Sequence, residues 1–285
     1  MSFPGSSTNP LLTPYDPPNS FGFGPIHSDA AGLQIDPMIS YRITEQIAVG
    51  GGVMINQVSL DLNPAFFGPR NSNGTFPPAT NGRPYWGAGF QVGLLAKLSP
   101  TWNFGISYKS EQWFETLKWD SKDETGAALD LELELSLPDI LSAGVGYMGD
   151  RFTAAVDVRY FNYDGATLFG DPLSEGGLGW ESIFAVAVGA QFQINNALAV
   201  QVGYEGNENP IPDVSTLFNV QLPGIGKHVL SGGLTMRLAE NLTSSVSLIR
   251  HFENSITSPI LLVPGSSVTL GSALTSLAFG TSLSF

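Results

Sequence analysis

The chain ends on LTSLAFGTSLSF, residues 274–285. Read in twos, Leu277, Phe279, Thr281, Leu283 and Phe285 share one face, and Ser276, Ala278, Gly280, Ser282 and Ser284 share the other. Strict alternation is the signature of a strand. The face opposite the large residues is built from Gly, Ala and Ser, where a soluble sheet would carry Lys, Glu and Thr. One greasy face and one smooth face suit a wall that separates lipid from a lumen.

The same pattern runs upstream. WNFGISYKSEQWF (102–114) sets Trp102, Phe104, Ile106, Tyr108 and Phe114 against Asn103, Gly105, Ser107, Lys109, Glu111 and Trp113. RFTAAVDVRYFNY (151–163) sets Phe152, Ala154, Val156, Val158 and Tyr160 against Arg151, Thr153, Ala155, Asp157 and Arg159. WGAGFQVGLLAKL (86–98), FAVAVGAQFQI (184–194), ALAVQVGY (197–204), VLSGGLTMRL (229–238) and LTSSVSL (242–248) repeat it. With GLQIDPMISYRI (32–43), IAVGGGVMINQVSLDL (47–62) and LELELSLPDILSAGVGY (131–147) the count reaches about eleven strands. Most are long enough for the ~9–11 tilted residues that cross a bilayer.

Connections alternate in length. Short turns fall at Thr44-Glu45, Ser99-Pro100, Gly149-Asp150, Asn195-Asn196 and 239–241, and long polar loops at 63–85, 119–128, 164–180, 205–227 and 254–270. Aromatic residues gather near both strand ends: Trp102, Phe152 and Phe192 by short turns, Trp86, Phe114, Tyr160 and Tyr204 by long loops. Tight turns at one end, long loops at the other and two aromatic girdles predict an all-β, antiparallel up-and-down transmembrane β-barrel. The competing reading is a large soluble β-sandwich or propeller, whose strands also alternate.

Composition agrees. Charged residues are 13% of the 285, glycines number 33, and 25 acidic against 12 basic residues give a net charge of −13. An acidic chain lacks the basic surface that nucleic acid requires. There is no cysteine, hence no disulfide frame and no thiolate metal site. His27, His228 and His251 lie far apart, and no Ser–His–Asp constellation is supported, so neither a cofactor nor enzymatic activity is expected.

The N-terminus has no basic region followed by an apolar stretch, so it is no signal peptide. An odd strand count would leave two unpaired edges in lipid, whereas single-chain bacterial barrels have even numbers. The expectation is the C-terminal part of a longer bacterial outer-membrane protein, with residues 1–31 an outer segment and 32–285 a partial barrel.

GAGFQVGLLAKLSPTWNFGISYKS (87–110), LPDILSAGVGYMGDRFTAAVDVRYFNYDG (137–165) and the terminal LAFGTSLSF together resemble the FadL/TodX family of outer-membrane transporters over roughly residues 32–285. The resemblance implies a fourteen-stranded barrel with an N-terminal hatch, of which about eleven strands are present. It implies transport of hydrophobic compounds, most readily long-chain fatty acids and otherwise aromatic hydrocarbons, by loop capture and diffusion without bond making. Outer-membrane lipid and the barrel-assembly machinery are the implied partners. A general diffusion porin and a soluble β-rich binding protein are the alternatives.

By that analogy an outer groove lies between loops 63–85 and 119–128, where Phe66, Phe67 and Phe76 either line it or merely pack the loop. Trp113, Lys109 and Arg159 would face the lumen, where either cation could meet a carboxylate headgroup. The bland alternative pairs those cations with Glu111 and Asp157. Gly280, Leu283 and Phe285 match the spacing of a C-terminal assembly signal.

Overall fold

The computed structural model describes residues 2–3, 27–72, 75–259 and 267–284. Its frame is one meandering antiparallel sheet. In chain order the wall strands are β1 (His27–Ile35, continued by Met38–Arg42), β2 (Ile47–Asn63), β3 (Tyr85–Lys97), β4 (Trp102–Lys109, continued by Gln112–Phe114) and β5 (Ile140–Met148). There follow β6 (Phe152–Phe161), β7 (Ile183–Asn195), β8 (Leu198–Asn207), β9 (His228–Ala239), β10 (Leu242–Pro259) and β11 (Ser267–Leu283). Each pairs with its sequence neighbour, and Ser2–Phe3 adds a short pairing on Ala30–Ala31 of β1. Among the described residues no ladder joins β11 to β1.

The wall has the two faces that alternation predicts. Along β3, Trp86, Phe90, Val92 and Leu94 are exposed, while Gly87, Gly89, Gln91 and Gly93 turn to the more enclosed side. Large apolar side chains stay uncovered on β11 too, with Phe279 79% exposed. A continuous uncovered apolar face is costly in water and natural in lipid. Among the described residues no helix is long and apolar enough to cross a membrane. Near the short turns the exposed face carries an aromatic band: Trp102 meets Tyr147 edge-on at 5.3 Å, and Tyr147 meets Phe152 at 6.3 Å.

Turn chemistry closes the short end. Thr44 Oγ1 accepts from the Ile47 N–H at 3.0 Å, Ser99 Oγ from the Trp102 N–H at 3.0 Å, and Asn195 Oδ1 from the Ala197 N–H at 2.8 Å. Short polar side chains stand in for missing ladder partners at such turns.

Three local readings need correction. β1 begins at His27, upstream of Gly32, so the boundary drawn at 31/32 cuts a strand. It also breaks at Asp36-Pro37, where proline cannot donate to the ladder. Gly52 of β2 makes room for the break, since a Cβ there would stand 2.1 Å from the Pro37 carbonyl oxygen. The segment 131–147 is three elements, the middle one being Ser136–Leu137, which pairs with Gln112 and Trp113. Ala128–Leu133 pairs with Leu117–Lys122 in a separate hairpin above the wall, and β5 starts only at Ile140, beyond Pro138.

The third correction is a bulge in β4. Gln91 pairs with Lys109, but Ala88 pairs with Trp113 and Gly87 with Phe114. One extra residue is therefore inserted on β4, and it exchanges the faces of everything beyond it. Trp113 emerges on the outer face, 51% exposed beside Trp86, and Phe114 turns in over Gly87. Simple alternation places both on the opposite sides.

The buried core lies among the long loops. Tyr85, Leu117, Trp119, Leu131, Phe169, Trp180, Ile211 and Ile225 form one packed cluster. Their polar ends are satisfied within it. The Trp119 indole donates to the Leu60 carbonyl at 3.0 Å, and the Trp180 indole to Asn219 Oδ1 at 2.5 Å. Buried indoles need such acceptors.

Candidate functional site

Two concavities follow from this architecture. The first is an apolar cavity of about 120 Å³ at the base of the outer loops. Phe66 and Phe67 from the β2–β3 loop line one side, with Leu60 and Leu62 at the end of β2. Leu133 of the hairpin, Leu168 and Leu178 of the β6–β7 loop, and Phe218 of the β8–β9 loop line the rest. Polar atoms are few there. Gln221 is one, and its amide is already spent on the Pro64 carbonyl at 2.9 Å and the His27 carbonyl at 3.2 Å. Such a cavity offers dispersion and desolvation and no directional bond.

Phe66 and Phe67 thus line the site and also pack the loop. Phe66 meets Phe76 edge-on at 5.3 Å, and Phe67 lies 5.5 Å from Trp119. Phe76 supports Phe66 from behind and is not a lining residue. Between loops 63–85 and 119–128 Phe67 packs on Trp119, and the cavity takes its other wall from loops 164–180 and 205–227 with no lining residue from 119–128. Sequence reading missed Leu168, Leu178 and Phe218. Scattered leucines in long loops have no period to betray them.

Leu168 sits at φ 74°, a left-handed backbone that branched side chains avoid. The Asp171 carboxylate holds it there by accepting its N–H at 2.7 Å. Such outliers cost roughly 1–3 kcal/mol and persist where surrounding contacts demand them.

The second concavity is an open depression of about 500 Å³ on the inner wall. Its floor is Ala155, Ala187, Gly189, Gly203, Ser231 and Gly233, the small residues of β6 to β9. Gln201 bridges it by donating to Gln191 Oε1 and Thr235 Oγ1, both at 2.8 Å. At its margin Arg159 meets Glu205 at 3.4 Å across the intervening strand, so its partner is Glu205 and not Asp157. Lys109 lies farther round the wall, where its Nζ approaches Gln34 Oε1 at 3.5 Å. Trp113, by contrast, faces outward. The six side chains proposed for ligand contact therefore divide among the loop cavity, the inner wall and the outer surface.

Electrostatics tie the loops to the rim. Arg83 forms two 3.0 Å bonds with the Glu115 carboxylate, which also accepts the Trp86 N–H at 2.8 Å. The guanidinium first, then that N–H, hold the Glu115 carboxyl down at about 2. Ser72 donates its N–H to Glu124 at 2.9 Å, joining the β2–β3 loop to the hairpin, and the Ser72 hydroxyl lowers the Glu124 carboxyl. At the other end of the chain Gly280 pairs with Ser245 and Leu283 with Leu242, and Phe285 lies outside the described residues.

A family model described as outer membrane protein transport protein (OMPP1/FadL/TodX) matches residues 15–258. Among solved structures, the Pseudomonas putida toluene transporter TodX is 15% identical, with a TM-score of 0.69 over 99% of this chain and 77% of its own. The Ralstonia pickettii toluene transporter TbuX is 12% identical, with a TM-score of 0.69 over 99% of this chain and 76% of its own. A Pseudomonas aeruginosa FadL homologue is 14% identical, with a TM-score of 0.64 over 99% of this chain and 71% of its own. At these identities the likeness is one of fold. A search of curated proteins finds no match.

Proposed function

Since the chain belongs to the OMPP1/FadL/TodX family of outer-membrane transporters of hydrophobic compounds, we propose that its loop cavity captures ring-sized hydrocarbons ahead of entire acyl chains. The size of the cavity carries this reading. About 120 Å³ is close to the roughly 150 Å³ apolar cavity that accepts benzene in an engineered protein. A long acyl chain adds ~0.8 kcal/mol per buried methylene only while it stays out of water, and most of it would project beyond these walls. The strained Leu168 on the lining is in keeping with a built site. A captured ring would then pass down the smooth inner wall of small residues, with no bond made or broken.

One observation favours long-chain fatty acids as a second reading. Lys109 on the inner wall has no carboxylate partner among the described residues. It is free to pair with a headgroup.

Calorimetric titration of the detergent-solubilised protein with toluene and with palmitate separates the two. The first reading expects saturable toluene binding that Phe66→Ala weakens and Lys109→Gln leaves intact. Saturable palmitate binding that requires Lys109, with toluene merely partitioning, would replace it by the second.

A further inference from the structure

The outer face of the wall carries a cation that the transport path does not use. Arg250 of β10 lies on the same face as Leu248, and its cross-strand partner is the exposed Leu230. Measured from Leu242 at the short-turn end, it stands roughly 20 Å up the wall, at ~3.3 Å per residue and ~40° of tilt. The apolar band of such walls is ~25 Å tall. Arg250 therefore sits just inside the outer-leaflet boundary, close enough for its head to reach the headgroup layer.

Four of the other arginines of the wall and rim are occupied. Arg83 holds Glu115, Arg159 holds Glu205, Arg151 donates to the carbonyls of Gln193 and Ile194, and Arg237 donates to those of Ala239 and Glu240. Arg250 has one hydroxyl. Its Nη1 donates to Thr275 Oγ1 of β11 at 2.7 Å, and no carboxylate of the described residues lies within ion-pair distance. That bond orients the guanidinium and leaves most of its five donors unspent. At the edge of hydrocarbon an unpaired charge is costly, and only the surroundings can supply the anion.

The neighbours suit the same guest. His228, two residues before Leu230, is the diagonal neighbour of Arg250 and is exposed. Tyr204, paired with Leu230 from the other side, joins its hydroxyl to His228 Nδ1 at 2.8 Å, which leaves Nε2 open. Leu230, Leu234 and Leu248 offer an acyl surface below.

We infer that Arg250, clamped by Thr275 and flanked by His228, binds a phosphate on the headgroup of an outer-leaflet glycolipid. A guanidinium fork matches a phosphate with two parallel bonds, and the leucines below accept its acyl chains. The inference rests on the long loops facing outward, and not on the identity of the transported compound.

The test is native mass spectrometry of the full chain in detergent, titrated with bisphosphorylated lipid A and with lipid A stripped of phosphate. Arg250→Gln should weaken the bisphosphorylated lipid roughly tenfold, the scale of one charge-assisted contact. Arg250→Lys should recover part, Thr275→Val should lose a lesser share, and Arg237→Gln should change nothing. Dephosphorylated lipid should bind the unaltered protein no better than Arg250→Gln binds the phosphorylated form. Heat-dependent gel mobility checks that each variant is folded. Equal affinity of Arg250→Gln and the parent, or equal affinity for the two lipids, would overturn the assignment. So would displacement of the lipid by inorganic phosphate at matching concentration.

Discussion

Gly87 of β3 lies directly beneath the ring of Phe114 on β4: a Cβ at residue 87 would stand 2.6 Å from Phe114 Cδ1. The contact exists because the bulge beyond Lys109 turns Phe114 inward, and only a residue without a side chain leaves space for it. Gly87→Ala should therefore destabilise the folded protein by about 1–3 kcal/mol through overpacking. Urea titration of tryptophan fluorescence in detergent reads this, and Phe114→Ala should lessen the added cost of Gly87→Ala without removing it, because the Trp113 carbonyl oxygen would still stand 2.8 Å from the new Cβ.

The same bulge takes Trp113 off the inner face to which simple alternation assigns it. Phe66 lines the loop cavity, whereas Trp113 stands on the outer surface beside Trp86. Phe66→Ala should lower affinity for a monoaromatic probe by about 1–3 kcal/mol, the value of a buried apolar ring. Trp113→Ala should leave that affinity unchanged and shift only the tryptophan emission attributable to the membrane interface. A titration of both variants with one probe checks the contrast.

Asn219 is the polar keystone of the loop core. Fully buried itself, it accepts the Trp180 indole N–H at 2.5 Å and donates to the carbonyls of Leu178 at 3.0 Å and Ser215 at 2.9 Å. Truncation leaves those groups buried without partners. Asn219→Ala should cost roughly 2–3 kcal/mol of loop stability, seen as faster protease cleavage in 164–180 and 205–227 while the wall strands stay protected.

The Arg83–Glu115 contact sets a pH limit for the rim. The carboxyl is depressed from its ordinary value of 4.5 to about 2, mainly by Arg83. A depressed folded value means that the contact's contribution is complete above the unfolded carboxyl range and fades as pH falls toward about 2. Both side chains are exposed, so the effect on total stability is small. The rim should hold its geometry at pH 4 and loosen near pH 2, and Glu115→Gln should abolish that step. Amide exchange at Trp86, whose N–H the carboxylate accepts, is the measurement.

Much of this was legible in the chain. LTSLAFGTSLSF and its counterparts specified strands, and their small-residue faces specified a wall with a smooth inside, because a strand's period of 2 writes its two environments into adjacent letters. The short polar turns and the long loops between them predicted the meander, in which each wall strand pairs with its sequence neighbour. The family assignment agrees with that reading and displaces the porin and soluble alternatives.

The tertiary structure decided what periodicity cannot carry. A one-residue bulge after Lys109 sent Trp113 outward and Phe114 inward, since a single insertion inverts every later side chain. The partner of Arg159 proved to be Glu205, distant in sequence and two strands away in the sheet. Phe66, Leu168, Leu178 and Phe218 became one cavity only when three loops met above the wall. Loops have no repeating backbone geometry, so their contacts are fixed by long-range packing and leave no local trace in the sequence.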